Sequence, residues 1–118
     1  MKTILVAEDN DSNYILMTYI LKHDYAFQRA KNGQEAVDMV RSGHFDLVLM
    51  DMKMPVMDGL QATKAIKELF PELPVIALTA NAFESDRQLA LEAGCNDFLS
   101  KPVNSAKCLE TIAKFIGK

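Results

Sequence analysis

The chain is poor in the residues that mark several classes of protein. Among its 118 residues there are no tryptophans, two cysteines, four prolines and five glycines. Two isolated cysteines cannot form a disulfide framework and lack zinc-site spacing, so Cys95 and Cys108 are expected to be reduced structural thiols. No stretch approaches the ~20 apolar residues of a membrane span. The 13 basic residues are outnumbered by 16 acidic ones, which argues against direct binding of nucleic acid.

The composition is that of one globular domain covering residues 1–118. Apolar residues make up 49% of the chain and charged residues 25%, and the length is enough for a single core. The start, Met1-Lys2-Thr3, runs directly into a strand pattern without the features of a signal peptide. A cytoplasmic location is therefore expected. His23 and His44 lie in predicted loops and are interpreted as surface side chains.

Short apolar runs alternate with helical patterns along the whole chain. Five strand and helix units in succession predict a mostly parallel α/β sheet with helices on both faces. Asp58 with Gln61 and Asn81 with Glu84 are typical of capping boxes, and Gly94 is typical of the residue after a helix. Strands are predicted near 3–7, 26–30, 46–50, 74–79 and 96–100, and helices near 11–22, 34–42, 59–69, 82–93 and 104–116.

The first predicted helix carries more apolar residues than one buried stripe requires. They cover more than half of its circumference, so part of this helix is interpreted either as a docking face for a partner or as a broad core stripe with an exposed Met or Tyr. The sequence alone favours neither interpretation. The residues are Tyr14, Ile15, Leu16, Met17, Tyr19, Ile20 and Leu21.

Two predicted strands run directly into carboxylates. Residues 4–7 lead into Glu8 and Asp9, and residues 47–50 lead into Asp51. The carboxyl ends of parallel strands share one edge of the sheet, where ligands bind in open α/β folds. Three carboxylates at that edge would repel one another unless a divalent cation lay among them. A magnesium site is therefore predicted.

Two further strand ends add a hydroxyl and an ammonium group at the same edge. The fourth strand ends in Thr79, and the fifth leads into Lys101. A carboxylate on a rigid central strand, such as Asp51, can attack a phosphoryl group, while Lys101 and Thr79 bind its oxygens. Each residue taken singly has a structural explanation, such as a helix cap, for which Asp11 or Ser12 is also suited. Their joint occurrence at four strand ends favours phosphoryl chemistry.

The whole chain resembles the receiver domains of two-component response regulators. The resemblance implies a single flavodoxin-like (βα)5 domain, a doubly wound parallel sheet with strand order 2-1-3-4-5. It is similar to the chemotaxis regulators, and leans towards the receivers of hybrid sensor kinases. The matching stretches are 4–10, 30–36, 46–59, 74–80 and 94–102.

The resemblance also implies a role for each residue of the site. Asp51 is the expected phosphoacceptor. Asp9, Asp51 and the backbone carbonyl of Lys53 are the expected direct ligands of Mg²⁺, which Mn²⁺ can replace, and Glu8 is expected to act mainly through a metal-bound water. Thr79 and Lys101 are expected to hold the phosphoryl oxygens, with a cis bond between Lys101 and Pro102. Phe98 occupies the family's aromatic switch position, and Ala80 a position kept small for access.

Two departures and two variable positions accompany the match. Asp24 stands where the family commonly has Gly, and Glu8 replaces the commoner Asp. Lys53 and Asn81 fall on variable positions associated with the lifetime of the phosphate. None of them removes a group that the site needs.

The implied function is a phosphorylation switch and not an enzyme acting on other molecules. A histidine kinase or histidine phosphotransfer domain is the expected phosphodonor. The domain is expected to catalyse only its own phosphorylation and dephosphorylation. The surface of the fourth helix, fifth strand and fifth helix is expected to bind an output partner of unknown identity. A degenerate receiver that acts only as an interaction module is the alternative.

Two other classes of protein fit less well. A haloacid dehalogenase phosphatase needs an acid two residues after its nucleophile, where this chain has Lys53. Flavin or nucleotide binding needs a phosphate loop rich in Gly, Ser or Thr, whereas the run from Glu8 to Asp11 would repel phosphate.

Overall fold

A computed structural model describes residues 1–80 and 84–117, with the side chains of residues 84–86 outside the description. Strands and helices alternate as the sequence predicts, and the boundaries agree within one or two residues. The elements are β1 (Thr3–Ala7), α1 (Asp11–Leu21), β2 (Ala26–Ala30), α2 (Gly33–Ser42), β3 (Leu47–Asp51), α3 (Gly59–Leu69), β4 (Val75–Thr79), α4 (Glu84–Ala93), β5 (Asp97–Ser100) and α5 (Ser105–Ile116).

The five strands form one parallel sheet in the order β2-β1-β3-β4-β5, which confirms the predicted topology. The register brings the carboxyl ends of the strands level. Ala7 lies beside Ala30 and Met50, and Thr79 lies beside Ser100. The residues that end or follow these strands therefore share one edge, which we call the carboxyl edge.

Alternate residues of each central strand fill two separate cores. Val48 and Met50 pack with α2, α3 and α4 on one face, while Leu47 and Leu49 pack with α1 and α5 on the other. All four side chains are fully buried. Continuous apolar strands are what a parallel sheet covered on both faces requires.

Helix starts follow side-chain capping, with one correction to the sequence analysis. Asp11 and Ser12 were the suggested caps of α1, but Asn10 is the N-cap, and its side chain accepts from the backbone N–H of Asn13. The capping box of Asp58 and Gln61 is confirmed. The one suggested for Asn81 and Glu84 lies outside the described residues.

The connections show few departures from ordinary backbone geometry. Gly94 has a φ of +109°, as expected for a residue after a helix. Val56 is the single non-glycine residue with a positive φ in the described part of the chain, so Asp24 avoids the left-handed conformation that Gly would have adopted easily. The Lys101-Pro102 bond is cis.

The exposure of the cysteine and histidine side chains is as predicted, and the exposure of the α1 residues shows whether its apolar side chains all face the core. Cys95 and Cys108 are free and buried, and His23 and His44 are exposed. In α1, Met17 is buried, while Ile15, Leu16 and Tyr19 are 52, 39 and 64% exposed. Part of this helix is therefore an exposed apolar face. No helix within residues 1–80 and 84–117 has the length and apolar character of a membrane span.

Candidate functional site at the carboxyl edge

The residues predicted to bind the metal and the phosphoryl group meet in one cleft of about 470 Å³ at the carboxyl edge. Asp51 ends β3 and Thr79 ends β4, while Glu8 and Lys101 directly follow β1 and β5. Other members of its lining come from β4, from the loops after β1, β3 and β4, and from α1, α3 and α4. They are Asp9, Asn10, Asn13, Met52, Lys53, Asp58, Leu60, Leu78, Ala80 and Leu89.

The ammonium group of Lys101 joins the two buried carboxylates. Its Nζ lies 2.9 Å from Glu8 Oε1 and 3.2 Å from Asp51 Oδ1. The side chains of Glu8 and Asp51 are 1 and 7% exposed, so these ion pairs are poorly screened by solvent. With Asp9 nearby, three carboxylates face the Lys101 ammonium group. Asp58 and the exposed Lys53 also line the cleft and balance each other in charge, so the ionised cleft keeps a net negative charge.

Burial and the neighbouring charges shift the pKa values of groups in the cleft. Burial, followed by the hydrogen bond and charge of Asp51, raises the pKa of Glu8 to about 7, although Lys101 opposes the shift. Burial alone would lower the pKa of Lys101, but the two carboxylates raise it. The raised pKa means that the ionised form of Glu8 is destabilised in this cleft, and a further cation there would stabilise it.

The three carboxylates fit a hard divalent cation. One oxygen each from Glu8, Asp9 and Asp51 lies within 4.8 Å of the other two. An all-oxygen set suits Mg²⁺ or Mn²⁺, and the exposure of Asp9 leaves room for the waters that Mg²⁺ retains. Lys53 lines the cleft, and its backbone N–H donates to Asp51 Oδ1 over 3.3 Å.

Thr79 presents a hydroxyl group without a hydrogen-bond partner among the described residues. Its Oγ1 is buried, and burying a hydroxyl without a hydrogen bond is energetically unfavourable. The backbone around it is fixed, because the N–H of Lys101 donates to the Thr79 carbonyl over 2.7 Å. An anion in the cleft could accept the missing hydrogen bond.

Phe98 is not part of the cleft lining in this structure. Its half-buried ring packs against the core that includes α2, α3 and α4, and the guanidinium of Arg87 lies 4.6 Å from the ring centroid. The predicted switch residue is thus held between β5 and α4. Ala80 is exposed and lines the cleft, as expected for a position that leaves access open.

One residue beside the site was missed by the sequence analysis. Arg29 lies on β2, and its Nε donates to the backbone carbonyl of Glu8 over 3.0 Å. The available signal was a basic residue in a short strand next to β1, but sequence spacing does not reveal a contact between side chain and backbone across two strands.

Comparison with known proteins places this arrangement in a family. The model of the response regulator receiver domain matches residues 4–113. The chain belongs to the receiver domain family. Receiver domains are phosphorylation switches of two-component systems, so the chain is a two-component signalling domain.

Relatives and solved structures agree with this assignment. Hybrid signal transduction histidine kinase M of Dictyostelium discoideum is 43% identical over 121 residues, which cover 96% of this receiver and 5% of the kinase. This receiver therefore spans a small part of that relative.

Two solved receiver domains bear on the chemistry. The receiver of sensor histidine kinase PA1611 from Pseudomonas aeruginosa, with a magnesium ion in its active-site cleft, is 36% identical, with a TM-score of 0.92 and coverage of 99 and 98% of the two chains. The receiver of Saccharomyces cerevisiae Ssk1, solved with the histidine phosphotransfer protein Ypd1, is 34% identical, with a TM-score of 0.91 and coverage of 97 and 88%.

Proposed function

We propose that Asp51 accepts a phosphoryl group from a phosphohistidine on a partner protein, and that the change of charge alters which proteins the domain binds. The observation that carries this proposal is the cleft itself, in which three carboxylates, one ammonium group and an unpartnered hydroxyl converge. A purely structural cluster would have fewer unsatisfied groups.

The side chains have distinct parts in the transfer. An oxygen of Asp51 bonds to phosphorus, and the bond from phosphorus to the histidine nitrogen breaks with its electron pair left on the imidazole. Glu8, Asp9, Asp51 and the Lys53 carbonyl would hold Mg²⁺, with Glu8 acting mainly through a bound water. When bound, Mg²⁺ neutralises charge between the carboxylates and the phosphoryl oxygens.

Lys101 and Thr79 are positioned to respond to the new group. Lys101 already contacts Asp51, so its ammonium can move to a phosphoryl oxygen over a short distance. The buried Thr79 Oγ1 gains an acceptor for its proton. If Thr79 moves towards the phosphoryl group, space opens for Phe98, and the surface formed by α4, β5 and α5 changes its preference for an output partner.

The exposed apolar face of α1 is the proposed docking site for the phosphodonor, a histidine kinase or a histidine phosphotransfer domain. Ile15, Leu16 and Tyr19 form this face. Leu16 also lines a small cavity with Glu8 and Lys101, and Asn13 lines the acidic cleft, so the face adjoins the site. The complex of the Ssk1 receiver with Ypd1 supports a partner of this type.

Several wider attributes belong to the same proposal. The domain takes in all of residues 1–118, it catalyses only its own phosphorylation and dephosphorylation, and it has no direct role with membranes or nucleic acid. Similarity to kinase-attached receivers supports a place within a hybrid sensor kinase. A cytoplasmic location stays a prediction of the sequence.

Phosphorylation can be tested with a small phosphodonor. Incubation with Mg²⁺ and acetyl phosphate should add one phosphoryl group to the wild type, detected by mass spectrometry of the intact protein. Asp51→Asn should abolish the addition. Asp38→Asn, which changes an exposed aspartate on α2, should leave it intact. If neither acetyl phosphate nor beryllofluoride modifies or occupies wild-type Asp51, the domain is a plain interaction module.

The role of Lys101 needs a separate experiment. Lys101→Ala should still bind Mg²⁺ and accept the phosphoryl group, but phosphorylation should no longer change the backbone amide chemical shifts of α4, β5 and α5, measured by NMR. The control is Lys64→Ala, which removes an exposed ammonium from α3. A phosphorylation response in Lys101→Ala equal to that of the wild type would contradict this role.

A further inference from the structure

The backbone of Glu8 is held at both of its polar groups by β2. Its N–H donates to the Ala30 carbonyl over 3.0 Å, and its carbonyl accepts from Arg29 Nε over 3.0 Å. Because β2 ends at Ala30, the parallel ladder provides the Glu8 carbonyl with no backbone donor among the described residues. The Arg29 side chain takes the place of the next ladder hydrogen bond.

Arg29 is itself fixed by α1. Its guanidinium lies 4.5 Å from the centroid of the Tyr14 ring, and Nη2 lies 2.9 Å from Asp11 Oδ1 as an ion pair without the alignment of a hydrogen bond. The Arg29 side chain is 17% exposed, whereas that of Asp11 is 82% exposed. The contacts with Tyr14 and Glu8 therefore hold the guanidinium more firmly than the solvent-screened ion pair.

The contact with Glu8 fixes the direction of the peptide that joins Glu8 to Asp9. Both of those residues contribute carboxylate oxygens to the cluster with Asp51. Rotation of this peptide would swing the two carboxylates relative to Asp51. Partners that orient metal ligands in this way commonly change metal affinity when they are removed.

We propose that Arg29 is a positioning residue for the magnesium site. It acts through the hydrogen bond from Nε to the Glu8 carbonyl and does not touch the metal. This inference rests on the proposed function, because it assumes that Glu8, Asp9 and Asp51 hold Mg²⁺.

Two pairs of proteins distinguish the effect of the Arg29 hydrogen bond on Mg²⁺ affinity from the effect of its positive charge. Arg29→Gln and Arg29→Met both lose the positive charge, but Gln keeps an N–H donor at the position of Nε, and Met does not. The wild type and Arg29→Lys both keep the charge, but Lys places a methylene where Arg has Nε. Isothermal titration with MgCl₂ alone gives the dissociation constant of each protein, and thermal unfolding in EDTA shows whether each is folded.

Arg29→Met should bind Mg²⁺ about 10 times more weakly than Arg29→Gln, and Arg29→Lys should bind more weakly than the wild type by a similar factor. If Arg29→Met does not fold, the comparison of Arg29→Lys with the wild type decides the question. A purely structural role would change the unfolding temperature without this pairwise difference in affinity.

The failures of the two proposals are distinguishable. Equal dissociation constants within both pairs, with a wild type that binds Mg²⁺, would overturn the role of Arg29 and leave the proposed function in place. A wild type that does not bind Mg²⁺ at millimolar concentrations would overturn both.

Discussion

The apolar residues inside the sheet and the buried carboxylates at its carboxyl edge have opposite effects on stability. Leu49 in the interior and Glu8 at the edge are both buried. The interior removes apolar area from water, which stabilises the fold. The edge removes carboxylates from water around a single ammonium group, which opposes folding. The interior of the sheet therefore stabilises the fold, whereas the charged groups that the site requires at the carboxyl edge destabilise it.

The largest expected effect comes from a cavity in the interior. Leu49→Ala should lower the free energy of unfolding by about 2–5 kcal/mol, since Leu49 is fully buried between α1, α5 and the neighbouring strands. Its affinity for Mg²⁺ should stay at the wild-type value. Urea unfolding and calorimetry measure the two quantities.

The control for this cavity is Leu69→Ala at the end of α3, where the side chain is 42% exposed. It should cost less than about 1 kcal/mol. A large loss of Mg²⁺ affinity in Leu49→Ala would show that the interior and the edge are not separable.

A substitution at the boundary should affect both regions. Gly59 begins α3 directly beneath the site, and a Cβ there would lie 2.3 Å from the Asp51 carbonyl oxygen and 2.8 Å from Met52 Cα. Gly59→Ala must displace the backbone of Asp51, so we expect a loss of about 1–3 kcal/mol together with weaker Mg²⁺ binding.

Gly43→Ala is the matched control, because its Cβ would lie 3.3 Å from the Met39 carbonyl oxygen and far from the cleft lining. It should keep the wild-type affinity for Mg²⁺. Wild-type affinity in Gly59→Ala as well would mean that the position of the Asp51 backbone does not govern the site.

Neutralising Asp51 should increase stability, in contrast to the substitutions at Leu49 and Gly59, which should decrease it. Without metal, Asp51→Asn should raise the free energy of unfolding by about 0.5–2 kcal/mol, because it reduces repulsion around Glu8. The stabilisation that Mg²⁺ gives the wild type should be lost in the variant. Urea unfolding with EDTA and with MgCl₂ checks both statements.

Asp97→Asn is the control for this charge effect. Asp97 pairs with Lys114 over 3.0 Å on a more exposed surface and is not among the clustered carboxylates. It should not increase stability. If Asp51→Asn is less stable than the wild type in EDTA, the edge does not oppose folding.

The architecture could be predicted because the same signal repeats along the chain. Each apolar run is short, each is followed by a helical pattern, and the acids stand where runs end, so the order of the sheet and the location of Asp51 follow from pattern and resemblance together. The cap of α1 was misassigned because Asn10, Asp11 and Ser12 are adjacent and are all good caps. Only the backbone direction of the helix selects Asn10.

Contacts between distant elements could not be predicted. Arg87 contacts the ring of Phe98, and Arg29 donates to the carbonyl of Glu8. Both contacts arise because the helices and strands that carry these residues pack side by side. Neither contact has a periodicity or a motif. The same limit applies to Thr79, whose position was expected but whose unpartnered hydroxyl becomes visible only with its surroundings.

The smallest expected effect concerns an ionisable group in the interior. Burial raises the pKa of the Cys108 thiol from its ordinary value of 9.0 to about 12. Between these values the folded protein holds a proton that the unfolded chain releases, so stability falls as pH rises above 9. One such thiol changes the slope by at most about 1.4 kcal/mol per pH unit.

The contribution of Cys108 can be isolated by comparing how steeply the free energy of unfolding changes with pH in the wild type and in variants. Between pH 8.5 and 10, the free energy of unfolding of Cys108→Ala, measured in urea, should fall less steeply with pH than that of the wild type. Cys95→Ala should change the slope less, since Thr63 and Lys67 partly oppose the effect of burial on the Cys95 thiol pKa. The comparison cancels the other groups that titrate in this range, and parallel curves for the wild type and Cys108→Ala would contradict it. The interior would then tolerate an ionised group as the carboxyl edge does.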